Sequence, residues 1–188
     1  MPAIYCLSGP CGAGKTTLSA ELAAQLSRRQ GGRQVCLLHG DDFHRALIGD
    51  DCSPAALPWP EVLRFNWDCL LSAAGHALAR GMDVVIDYIV EDELPRLARL
   101  AEAQGARLYY AVLTAQEETL RERLTRRGDP QLIGRALILR EQLLAEPVNA
   151  GRILDSDALT PPEMIAQILA LPDLLQCDID SPAADGVS

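Results

Sequence analysis

The chain has 188 residues, of which 48% are hydrophobic and 23% are charged. This size and composition are typical of one globular domain with a sizeable apolar core. The 17 basic and 26 acidic residues give a formal net charge of −9, which disfavours nucleic acid and anionic membranes as partners. No apolar run approaches the ~20 residues of a membrane-spanning helix, and the first residues lack the basic flank and cleavage site of a secretory signal. We therefore expect a cytoplasmic protein, monomeric or homodimeric, without a nucleic-acid or membrane partner.

Lysine and cysteine are used unevenly along the chain. Of the 17 basic residues 16 are Arg, and the one Lys is Lys15. Because every other basic position carries Arg, we expect Lys15 to lie where a compact ammonium group is needed. The cysteines form no CxxC pair, so we expect reduced thiols that pack as small hydrophobic residues rather than a metal site. They stand at positions 6, 11, 36, 52, 69 and 177.

Apolar, strand-like runs alternate with helical patterns along most of the chain. The predicted strands cover residues 3–8, 34–39, 83–88, 107–113 and 151–155. The predicted helices cover residues 15–29, 60–80, 92–104, 116–127, 131–145 and 161–171. Thr114 with Glu117 and Thr160 with Glu163 match capping boxes at the start of two of these helices. This alternation predicts an α/β fold in which a parallel sheet is covered by helices on both faces.

Two segments are distinguished by their composition. Three aromatic residues follow the second strand, and we expect them in the core: Trp59, Phe65 and Trp67. Residues 172–188 are rich in Asp, Pro, Ala and Ser and have no periodic pattern. We therefore expect one domain over residues 1–171, followed by a loose tail over residues 172–188.

Residues 9–16 read GPCGAGKT, which matches the phosphate-binding pattern G-x-x-x-x-G-K-[ST] between a predicted strand and a predicted helix. The glycines let the backbone wrap with its N–H groups inward, and the helix adds the positive end of its dipole. We expect Lys15 to bridge the β- and γ-phosphates of ATP and Thr16 to ligate Mg²⁺ through its hydroxyl. The expected nucleotide-binding residues are Gly9, Cys11, Gly12, Ala13, Gly14, Lys15, Thr16, Thr17 and Arg123.

Two classes of nucleotide-binding protein are disfavoured by the residues present. Guanine-specific GTPases read their base with an N-K-x-D motif, and the one Lys is already assigned to the phosphates. Motor and transport ATPases place a carboxylate pair at the end of an apolar strand, whereas here Asp87 is followed by Tyr88. Phosphoryl transfer to a bound acceptor remains, and it needs a carboxylate near the acceptor hydroxyl, Mg²⁺ and cations over the transferring group.

The candidate acceptor site follows the second predicted strand, where residues 39–45 read HGDDFHR. Side chains at the carboxyl ends of parallel strands face the ligand crevice. Asp41 is the candidate for orienting and deprotonating the acceptor hydroxyl, with Asp42 as second choice; the alternative is an Asx-type turn that caps the next helix. Asp87, which ends the third strand, is a candidate for a Mg²⁺-bound water or a second acceptor hydroxyl; the alternative is a turn residue. The expected substrate-binding residues are Asp41, Asp42, His44, Arg45 and Asp87.

A cluster of arginines surrounds the break Gly128-Asp129-Pro130. Its members are Arg123, Arg126 and Arg127 on one predicted helix and Arg135 and Arg140 on the next. This spacing suits a lid over about residues 123–147 that closes an arginine onto the γ-phosphate, and Arg127 is the best candidate for that catalytic cation. The alternative is a solvated helix face paired with Glu118 and Glu122.

With these residues in place, the sequence resembles the gluconate kinase and shikimate kinase group of P-loop small-molecule kinases up to about Leu171. The shared marks are GPCGAGKT, the Gly40-Asp41 pair with His44 three residues on, RLTRRG, LREQLLAEP, and ILDSD before TPPE. The resemblance implies a three-layer P-loop NTPase fold with strand order 2-3-1-4-5 and a mobile lid. It also implies Asp41 as the acceptor-binding acid and Arg127 as a lid arginine.

The sequence departs from gluconate kinases in ways that bear on the acceptor. Arg45 and Asp129 stand where those kinases carry Pro and His, and the VVIDYI stretch is more similar to kinases related to chloramphenicol phosphotransferase and zeta toxins. The sequence thus predicts an ATP-dependent phosphotransferase for a sugar acid, polyol, nucleoside or antibiotic-like acceptor. The alternative is a regulatory protein whose bound ATP only switches its shape.

Overall fold

The computed structural model describes residues 1–29, 33–48 and 57–177. The strands in that part of the chain are β1 (Ala3–Ser8), β2 (Val35–His39), β3 (Asp83–Asp87), β4 (Arg107–Thr114) and β5 (Ile153–Asp155). The α-helices are α1 (Lys15–Arg28), α2 (Asp41–Arg45), α3 (Trp59–Leu78), α4 (Leu94–Ala103), α5 (Glu117–Arg127), α6 (Ile133–Ala145), α7 (Pro161–Ala170) and α8 (Leu174–Cys177). None of these helices is both long and apolar enough to cross a bilayer.

The five strands form one parallel sheet in the order β2-β3-β1-β4-β5. Because successive side chains of a strand point to opposite faces, each face builds its own core. On one face, Ile4 packs in a cluster with Trp67 of α3. On the other, Leu7 packs with Leu22 of α1 and Ile165 of α7. The predicted fold class and strand order, with helices on both faces, are therefore confirmed.

The carboxyl ends of the central strands lie side by side. In the register of the sheet, Asp87 at the end of β3 is opposite both Leu7 of β1 and His39 of β2. The loops that leave these strands consequently start at one edge of the sheet. This is the edge at which open α/β sheets bind their ligands.

The predicted strands and helices are all present, and their ends differ from the observed ones by at most two residues. Two short helices, α2 and α8, were not predicted, because four or five residues are too few for a helical period to show. The expected capping box at α7 is confirmed: Glu163 accepts a hydrogen bond from the backbone N–H of Thr160 at 2.8 Å.

The second expected capping box, of Thr114 with Glu117, is wrong. Thr114 is the last residue of β4, and the residue that precedes α5 is Gln116. The Thr114 hydroxyl faces Ala115 O instead. The backbone N–H of Gln116, which precedes α5, donates to the Asp157 carboxylate at 2.7 Å, so an acceptor at the start of this helix comes from a distant loop.

The segment expected to form a loose tail begins with packed residues. The Asp173 carboxylate accepts the backbone N–H of Leu108 in β4 at 3.0 Å, and Leu174 of α8 is buried in the core that contains Trp67. The domain therefore extends past residue 171 to α8. Residues 178–188 of the expected tail lie outside the described residues.

Four cysteines of the described chain are free thiols: Cys6, Cys11, Cys36 and Cys69. Cys6 is fully buried in β1, and burial raises the pKa of its thiol. It packs in the core as a small hydrophobic residue. Cys52, for which a reduced thiol is also expected, lies outside the described residues.

Candidate active site

A cleft of about 720 Å³ lies where β1, β2 and β3 end. The residues expected from the sequence that line it are Gly9, Cys11, Gly12, Gly14, Lys15, Thr16, Thr17, Asp41, Asp42, Arg45, Asp87, Arg123 and Arg127. It is also lined by His39, Trp59, Tyr88, Ile89, Leu124, Arg126, Arg135 and Leu139. The cleft thus joins the phosphate loop (residues 9–16), the start of α2, the end of β3 and the α5–α6 segment.

The phosphate loop depends on glycine at two positions. Gly14 precedes α1 with φ of 96°, a left-handed conformation that residues with a Cβ rarely adopt. A Cβ on Gly9 would lie 2.3 Å from Leu113 O, so the loop packs directly on the backbone of β4. Ala13, which was also expected to bind the nucleotide, is fully buried and does not line the cleft.

Lys15 is held by its own loop. Its Nζ donates to Gly9 O at 2.8 Å and to Pro10 O at 3.1 Å. These two carbonyl oxygens accept two of the three ammonium N–H groups, but they carry only partial charge. A phosphate placed in the loop would offer a full negative charge to the same ammonium, so the resting contacts are ones that a bound phosphate can replace.

Arg123 ties the phosphate loop to two other elements. From α5, its Nη1 donates to Gly12 O at 3.2 Å and to the Ser156 hydroxyl at 2.9 Å. Its Nη2 pairs with the Asp157 carboxylate at 3.2 Å. The guanidinium therefore connects the loop to the segment that follows β5. Arg123 therefore stabilises the packing of the phosphate loop, and it also lines the cleft where the nucleotide is expected.

The two neighbouring acids of the HGDD sequence lie in the first turn of α2. Gly40 precedes the helix, and neither acid caps it through its side chain, so the alternative of an Asx-type cap is not realised. The side chains of Asp41 and Asp42 are 54% and 66% exposed, and each lies at the edge of hydrogen-bonding range of Arg45. Both carboxylates are therefore accessible from the cleft.

Asp87 differs from these acids because it is buried. Its side chain is 6% exposed, and its Oδ2 lies 3.0 Å from Nδ1 of His39 at the end of the neighbouring strand. The imidazole itself is 28% exposed and lines the cleft. A buried carboxylate requires a hydrogen-bonding partner, and His39 provides it.

Behind this pair, a polar cluster joins α2 to α3. Buried Asn66 donates through Nδ2 to Nδ1 of His44 at 2.9 Å and to the Tyr88 hydroxyl at 2.8 Å. His44, expected among the substrate-binding residues, does not line the cleft because Asn66 holds its ring against α3. Burial raises the pKa of Tyr88 to about 12, so this phenol stays neutral.

Gly40 is required by the same cluster. Its backbone is in the ordinary right-handed helical region, so conformational freedom does not explain the glycine. A Cβ at this position would lie 2.2 Å from Cγ of the Tyr88 ring. The absent side chain therefore makes room for the aromatic ring that forms the floor of the cleft.

The arginines of the α5–α6 segment have different surroundings. Arg127 pairs with Asp129 just after the helix and is 57% exposed. Arg140 donates to Ala115 O at 2.8 Å and does not line the cleft. Neither Arg123 nor Arg127 pairs with Glu118 or Glu122 among the described contacts, so the alternative of a self-paired helix face does not describe them.

Arg135 connects α6 to the opposite side of the cleft. It forms an ion pair with Glu91, and its guanidinium lies 5.6 Å from the ring centre of Trp59. Trp59 is 44% exposed and lines the cleft, so the expectation of a core position is wrong for this residue. It holds for Trp67, which is fully buried. Trp59 is the first residue of α3 and lies beyond the apolar stripe of that helix.

The sequence did not mark six of the cleft residues as functional: His39, Trp59, Tyr88, Ile89, Leu124 and Leu139. A usable sign for His39 was present, since it is the last residue of a predicted strand. Its importance depends on Asp87, which is 48 positions away in the sequence. Only the adjacency of β2 and β3 brings the two together.

A glycine-rich loop between the first strand and the first helix of a parallel sheet, with a lysine at the helix start, defines a P-loop nucleotide-binding protein. The chain belongs to the AAA_33 family of AAA domains, whose model matches residues 4–144. No curated protein matches the chain in a sequence comparison.

Solved structures share the fold over most of their length. The tunicamycin resistance protein of Deinococcus radiodurans is 21% identical, with 90% of this chain and 95% of that chain covered and a TM-score of 0.60. A sugar kinase from Janibacter sp. HTCC2649 is 18% identical over 90% and 94%, with a TM-score of 0.57. A gluconokinase from Sinorhizobium meliloti 1021 is 23% identical over 90% and 90%, with a TM-score of 0.52. These likenesses show the fold, and they include the kinase group that the sequence resembles.

Proposed function

We propose that this protein transfers the γ-phosphate of ATP to a hydroxyl group of a small molecule. The observation that carries the proposal is the composition of the cleft. A phosphate loop with Lys15, an accessible acid at Asp41 and the arginines of the α5–α6 segment all line one cavity. Phosphoryl transfer needs these three components close together, because catalysis consists of positioning the reactants and stabilising the charge on the phosphoryl group.

The nucleotide side of this cavity suits a polyphosphate. Backbone N–H groups of the loop and the positive end of α1 attract phosphate without any net positive charge on the protein. Lys15 would exchange its contacts with Gly9 O and Pro10 O for the β- and γ-phosphates. This local attraction explains how a chain with a formal charge of −9 binds an anion.

The residues also fit a magnesium ion that arrives with the nucleotide. The described residues contain no group of three or more His, Cys, Asp or Glu side chains placed for a metal. Mg²⁺ bound with phosphates needs no such group, since it keeps several waters and takes one or two protein oxygens. Thr16 lines the cleft, and its hydroxyl would supply one oxygen. When bound, the ion neutralises charge on the phosphates. The Asp87 carboxylate already bonds to His39, so we assign the metal role to Thr16.

On the acceptor side, Asp41 would orient the attacking hydroxyl and accept its proton. Its carboxylate is accessible and lies 3.5 Å from the guanidinium of Arg45. Asp42 is the second choice for the same role, because it lies in the same helical turn and is similarly exposed.

The α5–α6 segment would act as the lid. In the free protein Arg127 is exposed and paired with Asp129, so its charge is not yet directed at the reaction. Closing the segment over bound ATP and acceptor would bring Arg127 to the γ-phosphate and exclude water. Hydrolysis in the open state would then stay slow.

The test is acceptor-dependent formation of ADP. Purified protein with MgATP is incubated with gluconate and other sugar acids, sugars, polyols, nucleosides, aminocyclitols and tunicamycin, and ADP release is measured. We expect at least one acceptor to stimulate ADP release strongly and to gain a phosphate detectable by mass spectrometry. Tight ATP binding without stimulation by any of these compounds would instead support a regulatory nucleotide-binding protein.

A further inference from the structure

His39 and Asp87 form a dyad that the phosphoryl-transfer components described above do not require. They end neighbouring strands, in register, and both line the cleft. Nδ1 of His39 lies 3.0 Å from Oδ2 of Asp87. The carboxylate is 6% exposed and the imidazole is 28% exposed. The dyad is therefore an imidazole at the cleft surface, held from behind by a buried acid.

The buried acid determines which ring nitrogen is available. An ionised carboxylate only accepts hydrogen bonds, so Nδ1 of His39 must carry the proton that it donates to Asp87. This leaves Nε2, to which no described residue forms a hydrogen bond. Nε2 accepts a hydrogen bond when the ring is neutral and donates one when the ring is protonated.

This property restricts the chemistry of a partner for Nε2. A carboxylate or phosphate oxygen pairs only with the protonated ring, and an ammonium group pairs only with the neutral ring. A hydroxyl group both donates and accepts, so it satisfies Nε2 in either state. A hydroxyl is therefore the ligand that best suits this position.

We propose that His39, oriented by Asp87, binds a second hydroxyl of the acceptor, distinct from the hydroxyl that attacks the phosphate. The inference rests on the proposed function and narrows its substrate class to acceptors with at least two hydroxyl groups. Asp41, on α2 and with an accessible carboxylate, takes the attacking hydroxyl. His39 takes the second one and acts as a specificity residue, and Asp87 is its positioning residue.

The dyad would discriminate against acceptors that lack the second hydroxyl group, here called incomplete acceptors, because such acceptors bind at an energetic cost. When the cleft closes on a molecule that lacks the second hydroxyl, Nε2 loses water and gains no partner. Leaving such a partly buried group unpaired lowers kcat/KM by about 10-fold to 10²-fold. The loss should appear mainly in KM, because the contact is made in the ground state as well as in the transition state.

The experiment compares matched pairs of acceptors with the full chain and MgATP. The pairs are ribose and 2-deoxyribose, glucose and its monodeoxy analogues, and gluconate and its monodeoxy analogues. For the best acceptor we expect one deoxy analogue to lose about 10-fold to 10²-fold in kcat/KM. His39→Phe should lower kcat/KM for the complete acceptor and leave kcat/KM for its deoxy analogue unchanged, so the difference between the two acceptors should disappear. His39→Gln keeps a hydrogen-bonding group, so it should retain part of the difference in kcat/KM between the two acceptors. The matched control is His76→Gln, on the exposed side of α3.

The outcomes separate this inference from the proposed function. If acceptors stimulate ADP release but no deoxy analogue is discriminated against, the inference is overturned and the transfer activity stands. A uniform fall in kcat for every acceptor in His39→Phe, with discrimination unchanged, also overturns it, because His39 would then act on the attacking hydroxyl. ATP-analogue binding must stay intact in each variant to show that it folds.

A second readout does not depend on transfer. The imidazole ¹⁵N resonances of His39 are assigned by their loss in His39→Gln, in a chain with three histidines. The protein is saturated with Mg²⁺ and a non-hydrolysable ATP analogue, and the same sugars and sugar acids are added. If no acceptor stimulates ADP release, the proposed transfer fails. The inference then still predicts a shift of Nε2 with a complete acceptor, and no shift with any of them overturns it.

Discussion

The two sides of the cleft are built in different ways. The nucleotide side comes from one continuous segment, the phosphate loop, and its binding groups are mostly backbone N–H groups. The proposed acceptor side comes from the ends of β2 and β3 together with α2, and the groups that would bind there are the side chains of His39, Asp41, Asp42, Arg45 and Asp87, which line the cleft. A site made of backbone keeps its ligand as the sequence varies, whereas a site made of side chains changes its ligand with each substitution.

The two sides of the cleft also differ in the charged groups that line them. On the nucleotide side, Lys15 is hydrogen-bonded, among the described residues, only to loop carbonyl groups, so its full positive charge is available to a phosphate. The acceptor side combines carboxylates with a guanidinium and an imidazole, a mixture suited to hydroxyl groups. Under the proposed function, the first side would set the common reaction, and the second would set which molecule receives the phosphate.

The largest effect is expected from the acceptor side at Asp41. Asp41→Asn should lower phosphoryl transfer by about 10²-fold to 10⁴-fold, the usual contribution of a positioned base, and leave the Kd for ATP unchanged. Steady-state kinetics and calorimetry measure the two quantities. Asp68→Asn, an exposed acid of α3 paired with Arg96 outside the cleft, is the control. Equal loss of ATP binding in Asp41→Asn would show that the two sides are not separate.

A somewhat smaller effect is expected on the nucleotide side at Lys15. Lys15→Arg keeps the charge, but the planar guanidinium cannot replace a compact ammonium inside the loop. Turnover should fall by about 10²-fold to 10³-fold, as for other groups that stabilise a transferring phosphoryl group, and by the same factor for every acceptor. The reverse exchange Arg121→Lys, on an exposed position of α5 outside the cleft, should have no effect. A wild-type rate in Lys15→Arg would contradict the assigned role.

Substitution of Arg127 tests whether the proposed lid acts in phosphoryl transfer or in ATP binding. Arg127→Ala should reduce kcat by roughly 10²-fold and barely change the Kd for ATP, since the free protein pairs this arginine with Asp129. Arg121→Ala, on the same helix, serves as the control. Hydrogen exchange adds a direct test: α5 and α6 should become protected only with nucleotide and acceptor together. Equal protection in the free and bound states would identify a rigid helix pair.

Substitution of Gly40 tests the packing of Gly40 against the Tyr88 ring, and the measured quantity is the free energy of unfolding. In Gly40→Ala the new Cβ would overlap the Tyr88 ring, and overpacking of this kind costs about 1–3 kcal/mol of unfolding free energy. Gly134→Ala is the matched control, because Gly134 lies inside α6 with open space at its Cβ. It should gain up to about 1 kcal/mol from helix propensity. Urea unfolding measures both, and equal stability of the two variants would show that Tyr88 moves freely.

The smallest expected effect concerns Glu93, which shapes the loop that carries Glu91. Burial raises the pKa of Glu93 above its ordinary value of 4.5, although its carboxylate accepts the backbone N–H groups of Glu91 and Asp92. Between the ordinary pKa and the raised one, the folded state binds more protons than the unfolded state, so stability falls as pH rises through that window. Below pH 4.5 both states are protonated and the effect disappears.

Glu93→Gln should remove the loss of stability that accompanies rising pH in this window. The melting temperature of the variant, relative to the natural chain, should therefore increase as pH rises through the window. Glu102→Gln, an exposed residue of α4, should follow the natural chain at every pH. A constant difference between Glu93→Gln and the natural chain would show that the carboxyl does not change its protonation within the window.

Most of the fold could be predicted because its signals are local. Each strand is a short apolar run, the phosphate loop is a contiguous pattern, and the cap at Thr160 involves a residue three positions away. The predictions that failed depended on contacts between distant segments. The loop after β5 provides Asp157 to Gln116 in place of the expected cap at Thr114, and the contact with Arg135 gives Trp59 a surface position.

The candidate site shows the same division. The residues of the phosphate loop follow from one pattern, but the dyad of His39 and Asp87 requires the order of strands in the sheet. His44 has the spacing of an acceptor residue, and only the position of Asn66 on α3 shows that its ring is held elsewhere. Local patterns identify which residues carry reactive groups, and packing decides which of them face the ligand.

The contacts of Lys15 have a practical consequence for labelling the protein. Lys15 is the one side-chain amine in the sequence, and it is hydrogen-bonded within the loop to Gly9 O and Pro10 O. A reagent that acylates amines therefore has one side-chain target, and that target lies inside the proposed nucleotide site. Because bound phosphates would cover the same ammonium, the extent of acylation at Lys15, measured apart from that of the terminal amine, would report how much of the protein holds nucleotide, without any engineered probe.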